Sequence, residues 1–113
     1  MFVKEIFVGE ELTNYVERLS REVEGSKEVI AFMLENNKNI ASDSFKAYKK
    51  EYDEVKAEFD IARQEVQDKF VPKALIDFDG NNTSWELDYA TQVITIKYTG
   101  KKLTKEKFDE FFA

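Results

Sequence analysis

The acid–base chemistry open to this sequence rests on carboxylates, lysines and tyrosines, because it contains no histidine and no cysteine. Disulfides, thiolate nucleophiles, thiolate or imidazole metal ligands and the usual general base are thereby excluded. The first constellation that remains is acidic: Asp77, Asp79, Glu86 and Asp88. Asp77-Phe78-Asp79-Gly80-Asn81 has carboxylates at a spacing a calcium loop would use. Its glycine arrives two positions early and no glutamate stands at the twelfth, so the coordination geometry fails. A solvated strand face with an Asp-Gly turn accounts for the same residues.

The second constellation is aromatic and cationic. Trp85, Tyr89 and Tyr98, with Asn81, Asn82, Lys97, Lys101 and Lys102 nearby in sequence, offer rings to stack a base and donors to hold a phosphate. The same residues also suit a sheet core with cross-strand aromatic pairs beside a basic turn, and that reading is favoured. A small anionic, nucleotide-like ligand, if bound, belongs here. Lys101, Lys102, Lys105 and Lys107 are interrupted by Glu106, Asp109 and Glu110, a helix-end pattern and not a nucleic-acid patch. The formal charge of −6 repels phosphate, and the only arginines are Arg18, Arg21 and Arg63, so nucleic-acid binding is disfavoured.

The elements that must position these residues follow from periodicity. Leu12, Val16, Leu19, Val23, Ser26, Ile30, Met33 and Asn37 form one heptad seam, and Ala41, Phe45, Tyr48, Tyr52, Val55, Phe59, Ala62 and Val66 form another. Gly9 precedes the first helix, with Glu10 and Glu11 in its opening turn. Ser42, Asp43 or Ser44 caps the second, and Pro72 ends it. The break Asn36-Asn37-Lys38-Asn39 is short, which argues for an antiparallel hairpin. That fold pairs Leu19 with Phe59, Val23 with Val55, Ile30 with Tyr48 and Met33 with Phe45. It also sets small Ser26 against the ring of Tyr52, as an interdigitated seam requires.

Flanking charges disagree with a lone hairpin. Lys49, Lys56 and Arg63 lie on one flank of the second helix and Glu51, Glu58 and Glu65 on the other, so Lys27 and Glu22 would meet like charges. The alternation suits Glu51 with Lys56 and Glu58 with Arg63 between parallel copies, which raises the expectation of a homodimer or higher oligomer. Exposed ion pairs contribute only about 0–1 kcal/mol each, so the seam decides the fold within the chain.

After Pro72 the period becomes two. Ile76 and Phe78 alternate with Asp77 and Asp79. Beyond the Gly80-Asn81-Asn82 turn, Trp85, Leu87 and Tyr89 alternate with Ser84, Glu86 and Asp88. After a turn at Ala90-Thr91, Ile94, Ile96 and Tyr98 alternate with Thr95 and Lys97. This predicts an antiparallel meander of three strands, or of four where Phe2 to Val8 joins it. Thr104 caps a last short helix whose Phe108, Phe111 and Phe112 cover the apolar face. The expected fold is α+β: a strand in 1–9, a coiled-coil hairpin in 10–71, and a small sheet with a helix in 72–113, packed with the N-terminal strand.

Val29, Ile30, Phe32, Met33 and Leu34 are apolar on more than one face of the first helix. Packing against Ile40 in the connection is one account of them. A partner surface is the favoured one, and off-seam Tyr15 and Ile61 point the same way. The candidate interface is therefore Val29, Phe32, Leu34, Tyr15 and Ile61. No residue set matches a named family. The functional expectation is a non-enzymatic, self-associating binding protein that acts by contact with a protein partner, as an accessory factor or inhibitor. The alternative is a small-ligand binder using Trp85, Tyr89, Tyr98, Asn81, Lys97 and Lys101. No cofactor, metal or membrane is expected. Lysine and asparagine in place of arginine suggest an AT-rich bacterial or phage genome, and the lack of a signal sequence suggests the cytoplasm.

Overall fold

A computed structural model describes residues 1–36 and 43–113. Strand β1 (Phe2–Phe7) passes through Gly9, at φ +104°, into helix α1 (Glu10–Asn36). Gly9 supplies the carbonyl that accepts from Thr13 N at 3.3 Å, and Glu10 and Glu11 favour the positive end of the helix. Helix α2 (Asp43–Phe70) packs against α1. Next come α3 (Lys73–Asp79), a 3-10 turn at Gly80–Asn82, β2 (Thr83–Asp88), β3 (Val93–Tyr98) and α4 (Lys105–Glu110). The fold is α+β, as the periodicities predict. The predicted connection at Asn37–Asn39, with Ile40, seam position Ala41 and candidate cap Ser42, lies outside the described residues. Among those described, no helix is long and apolar enough to cross a membrane.

The chain divides into two compact units. One comprises Met1–Asn14 and Gln64–Ala113, the other Tyr15–Arg63. In the first, the sheet has the order β1-β3-β2, antiparallel throughout. Ile94, Ile96 and Tyr98 pair with Leu87, Trp85 and Thr83 on one side and with Ile6, Lys4 and Phe2 on the other. Residues directly opposite in a ladder share a face, so these make the inner surface. Phe108, fully buried from α4, seals it with ring centroids 5.7 Å from Phe2, 6.3 Å from Tyr98 and 5.2 Å from Phe112. Thr104 caps α4 as expected, its Oγ1 accepting from Lys107 N at 3.3 Å.

One predicted element is corrected. Ile76–Asp79 is not the first strand of a meander; it is the end of α3, and β1 supplies the third strand instead. Over four residues an alternation of apolar and polar types fits either period. Pro72 stands just before α3 and its carbonyl accepts from Leu75 N and Ile76 N at 3.1 and 3.3 Å, after which buried Leu75, half-buried Ile76 and buried Asp79 recur at helical spacing. The β2–β3 connection turns where Ala90 and Thr91 predict it. Asp88 Oδ1 accepts from the amides of both, and Gln92 takes φ +60°.

In the second unit, Val16, Leu19, Val23 and Ala62 are buried on the predicted seams. Further along, Ser26, Ile30 and Met33 of α1 and Phe45, Tyr52, Val55 and Phe59 of α2 are half-buried. Tyr15 Oη donates to Glu58 Oε1 at 3.3 Å, and Gly25, Ser26 and Val29 line one groove with Tyr48, Glu51 and Val55. Both observations fix an antiparallel hairpin, with Ser26 at the level of the α2 tyrosines.

Candidate functional site

Helix α1 carries more apolar surface than its seam uses. Val29 is 39% exposed, Phe32 66% and Leu34 51%, and on α2 Tyr48 is 44% and Ile61 70% exposed. Val29 and Tyr48 stand in a groove of about 500 Å³ between the two helices, floored by Gly25 and Ser26 and rimmed by Glu22 and Glu51. Phe32 lies one turn beyond Val29 on the same flank, because residues three apart on a helix are neighbours. Leu34 falls on the other side of the seam. Tyr15 and Ile61 are elsewhere. Tyr15 is half-buried, with the Arg18 guanidinium 5.5 Å from its ring centroid and its hydroxyl on Glu58. Of the five predicted contact residues, the structure therefore brings Val29 and Phe32 together and leaves Leu34, Tyr15 and Ile61 apart.

The flanking charges have local partners. Lys49 Nζ lies 3.1 Å from Asp53, Lys50 Nζ 4.0 Å from Glu54, and Lys56 Nζ bonds to Asp60, each one turn on along α2. On α1, Arg21 pairs with Glu17 at 3.0 Å. Arg63 and Lys56 each sit 5.8 Å from the centroid of the Phe59 ring. Lys49, Lys56 and Glu65 of the charge alternation are thus answered within α2 itself, the last by Lys69 at 3.4 Å. Such exposed pairs add only a few tenths of a kcal/mol each, about 0.3–0.5.

The aromatic and lysine set is dispersed. Trp85 and Tyr98 face the sheet's inner surface, whereas Lys97, opposite Val3 and Ser84, projects from the other. Trp85 Nε1 donates to Gln67 Oε1 at 3.2 Å. Tyr98 is fully buried and its hydroxyl donates to Asp79 Oδ2 at 2.7 Å. Tyr89 is half-buried in the turn after β2, and Asn81 and Lys101 are exposed in separate segments. The acidic residues diverge too: Asp77 is exposed on α3, Asp79 points inward, and Glu86 and Asp88 lie on the outer sheet face. No group of three or more metal-ligating side chains occurs among the described residues.

Two features were not anticipated. The first is a buried polar knot around Asp79. Its carboxylate accepts from Tyr98 and, at 3.0 and 3.1 Å, from Asn82 Nδ2, while its carbonyl accepts from Thr83 Oγ1 at 3.0 Å. The hydroxyl of Tyr98 above all, then the Asn82 amide, hold the Asp79 carboxyl below its ordinary pKa, with help from the Lys102 charge and against the opposing effect of burial. Burial, and then the bond to Asp79, push the Tyr98 phenol up. The knot ties the end of α3 to the end of β3 and to the segment after it, where Lys102 N donates to the Tyr98 hydroxyl at 3.3 Å. The second is a groove of about 410 Å³ lined by Phe78, Leu103 and Phe111 with Lys102, Lys107 and Glu110 at its edges. The signal for it was the helical spacing that turns Phe78 outward.

No protein family matches the chain, and no curated protein or solved structure is significantly similar to it.

Proposed function

We propose that this chain is a non-enzymatic binding protein that self-associates and acts by protein–protein contact through its helical hairpin. The observation that supports this reading is the apolar stripe at the far end of α1, where Val29 and Phe32 stay exposed beside an open interhelical groove. Apolar residues clustered in this way beside a concave surface mark contact sites, unlike single scattered ones. The side-chain inventory agrees, since a chain without cysteine or histidine is poorly equipped for catalysis. An accessory or inhibitory role in a bacterial or phage cytoplasm fits the composition. Light scattering on wild type and on the double variant Phe32→Glu, Leu34→Lys tests the reading. Wild type should be a concentration-dependent oligomer and the variant a folded monomer. A wild type that stays monomeric at every concentration removes the reading.

A second reading, a small anionic ligand, draws on the groove between Phe78, Leu103 and Phe111. Its volume lies in the range of about 300–1,000 Å³ typical of ligand sites, and Lys102 and Lys107 stand at its edge. A thermal-shift series with nucleotides should then raise the melting temperature of wild type and not of Lys102→Glu. No shift in wild type removes this second reading.

A further inference from the structure

We infer that Gly25 is the seat for a second copy of this chain, with two hairpins related by a two-fold axis close to Val29 and Phe32 of each laid over Gly25 of the other. The inference rests on the self-association proposed above and specifies its geometry. It begins with an anomaly in α1. Glycine is among the poorest helix formers, yet Gly25 stands mid-helix within Glu10–Asn36. A Cβ placed on it meets no atom within 4 Å. Nothing in the packing of the described residues therefore requires the side chain to be missing. A neighbouring molecule packed close against the helix would require it.

The sequence around Gly25 shows what that is. Arg18, Glu22, Gly25, Val29, Phe32 and Asn36 recur at steps of four and three, a second heptad-type stripe on the same helix. At about 100° per residue it lies roughly a quarter turn from the seam of Val16, Leu19, Val23, Ser26, Ile30 and Met33. One stripe faces α2, and the other is set to face a neighbour, as a helix in a four-helix bundle contacts two others.

The stripe is self-complementary. With a rise of about 1.5 Å per residue, Phe32 lies about 4.5 Å from the level of Val29 in one direction and Gly25 about 6 Å in the other. A two-fold axis through Val29, perpendicular to the helix, brings the Phe32 ring of one copy to the level of Gly25 on the other, on the same flank. The protruding ring thus meets the bare backbone and the groove beside it, and both contacts form at once because the interface is isologous. The charges agree. The same operation sets Arg21, whose side chain is 79% exposed, about a turn or less in height from exposed Glu35 of the second copy. It also brings the two copies of Glu28 near the axis on one flank, a repulsion that limits affinity.

The absence of native cysteine makes the test direct. In the full chain, Val29→Cys places a single thiol at the axis, and Ile61→Cys places one at a control position that is more exposed still. Under mild oxidation Val29→Cys should convert to a disulfide-linked dimer and Ile61→Cys should not. Gly25→Leu should keep the wild-type circular dichroism and weaken self-association by tenfold or more in sedimentation equilibrium, whereas Glu28→Gln should strengthen it. If wild type dimerises but Val29→Cys crosslinks no faster than Ile61→Cys, this geometry is overturned and self-association by another surface stands. If Gly25→Leu dimerises like wild type, the seat is likewise overturned. A wild type that remains monomeric overturns both this inference and the reading beneath it.

Discussion

In the unit that carries the sheet, Leu75, Ile94, Ile96, Tyr98 and Phe108 are all within 1% of complete burial, and the polar groups of Asp79, Asn82 and Tyr98 satisfy one another. Among the described residues of the Tyr15–Arg63 unit, burial is confined to Val16, Leu19, Val23 and Ala62, and seam positions such as Ile30, Met33, Phe45 and Tyr48 are partly exposed. The two regions use similar apolar residues toward different ends. Three strands and a covering helix enclose a core from several sides, whereas a pair of helices can shield only the stripe between them. The first region encloses the inner face of its sheet, although Phe7 and Phe78 stay exposed outside that core. The second leaves Val29, Phe32, Leu34 and Ile61 exposed along its two helices.

The sharpest way to break that comparison is to make one truncation in both regions. Phe108→Ala should cost about 3–5 kcal/mol, because the ring fills space between Phe2, Tyr98 and Phe112 that cannot collapse. Phe32→Ala should change the stability of the monomer by no more than about 0.5 kcal/mol, since two-thirds of that residue is already exposed. Urea unfolding at low protein concentration measures both. Equal losses would mean that the hairpin end is as well packed as the sheet. At higher concentration the Phe32 variant should lose only the concentration dependence of its melting temperature.

Gly100→Ala probes the tightest contact in the sheet unit. A Cβ there would overlap the Tyr98 hydroxyl and lie 2.6 Å from Asp79 Oδ2. Overpacking of this kind costs about 1–3 kcal/mol, read as a lower urea midpoint at unchanged slope. Gly25→Ala is the matching change in the hairpin, where the new methyl meets nothing. It should stabilise the monomer by about 0.8–1 kcal/mol through helix propensity. Two glycines, each replaced by alanine, should thus shift stability in opposite directions.

The same knot sets a pH dependence. Asp79 has a lowered pKa in the folded state, so its contribution is present above the ordinary carboxylate range and is lost as pH falls below about 4. Tyr98 has a raised pKa, so its contribution is present below the ordinary phenol range and is lost as pH rises above about 10. Asp79→Asn should flatten the acid limb of a melting-temperature profile and Tyr98→Phe the alkaline limb. An acid limb unchanged in Asp79→Asn would place its origin in other carboxylates.

What could be read from the sequence divides along the same line. The hairpin was legible because its seams repeat over many turns, and the off-seam apolar residues stood out against them. The strands β2 and β3 were legible from six-residue alternations with turn residues between. Helix α3 was not, because Ile76–Asp79 is too short to distinguish a period of two from one of 3.6. Reading that segment as a strand placed Asp79 on a solvated face, and with it hid the bond to Tyr98. The close approach of Gly100 to Tyr98 and Asp79 had no local signal at all, since it depends on how α3 and the segment after β3 meet. The predicted ligand set failed to converge for a related reason: Tyr98 and Lys97 are neighbours in sequence, and so face opposite sides of a strand.

Thr13 tests whether the sheet unit is as complete as its core suggests. It is fully buried on α1, and its Oγ1 has no hydrogen-bond partner among the described residues. A hydroxyl in that position loses its water without replacement, which costs about 1–3 kcal/mol where nothing compensates. Valine has nearly the same shape and no such group. Thr13→Val should therefore raise stability by about 1 kcal/mol, less than the full penalty because the helical backbone nearby offers partial compensation. Equilibrium unfolding of the two proteins decides it. A loss of stability would show that the hydroxyl is bonded in solution, to an ordered water or to a backbone carbonyl of the preceding turn, and that the unit already satisfies every polar group it buries.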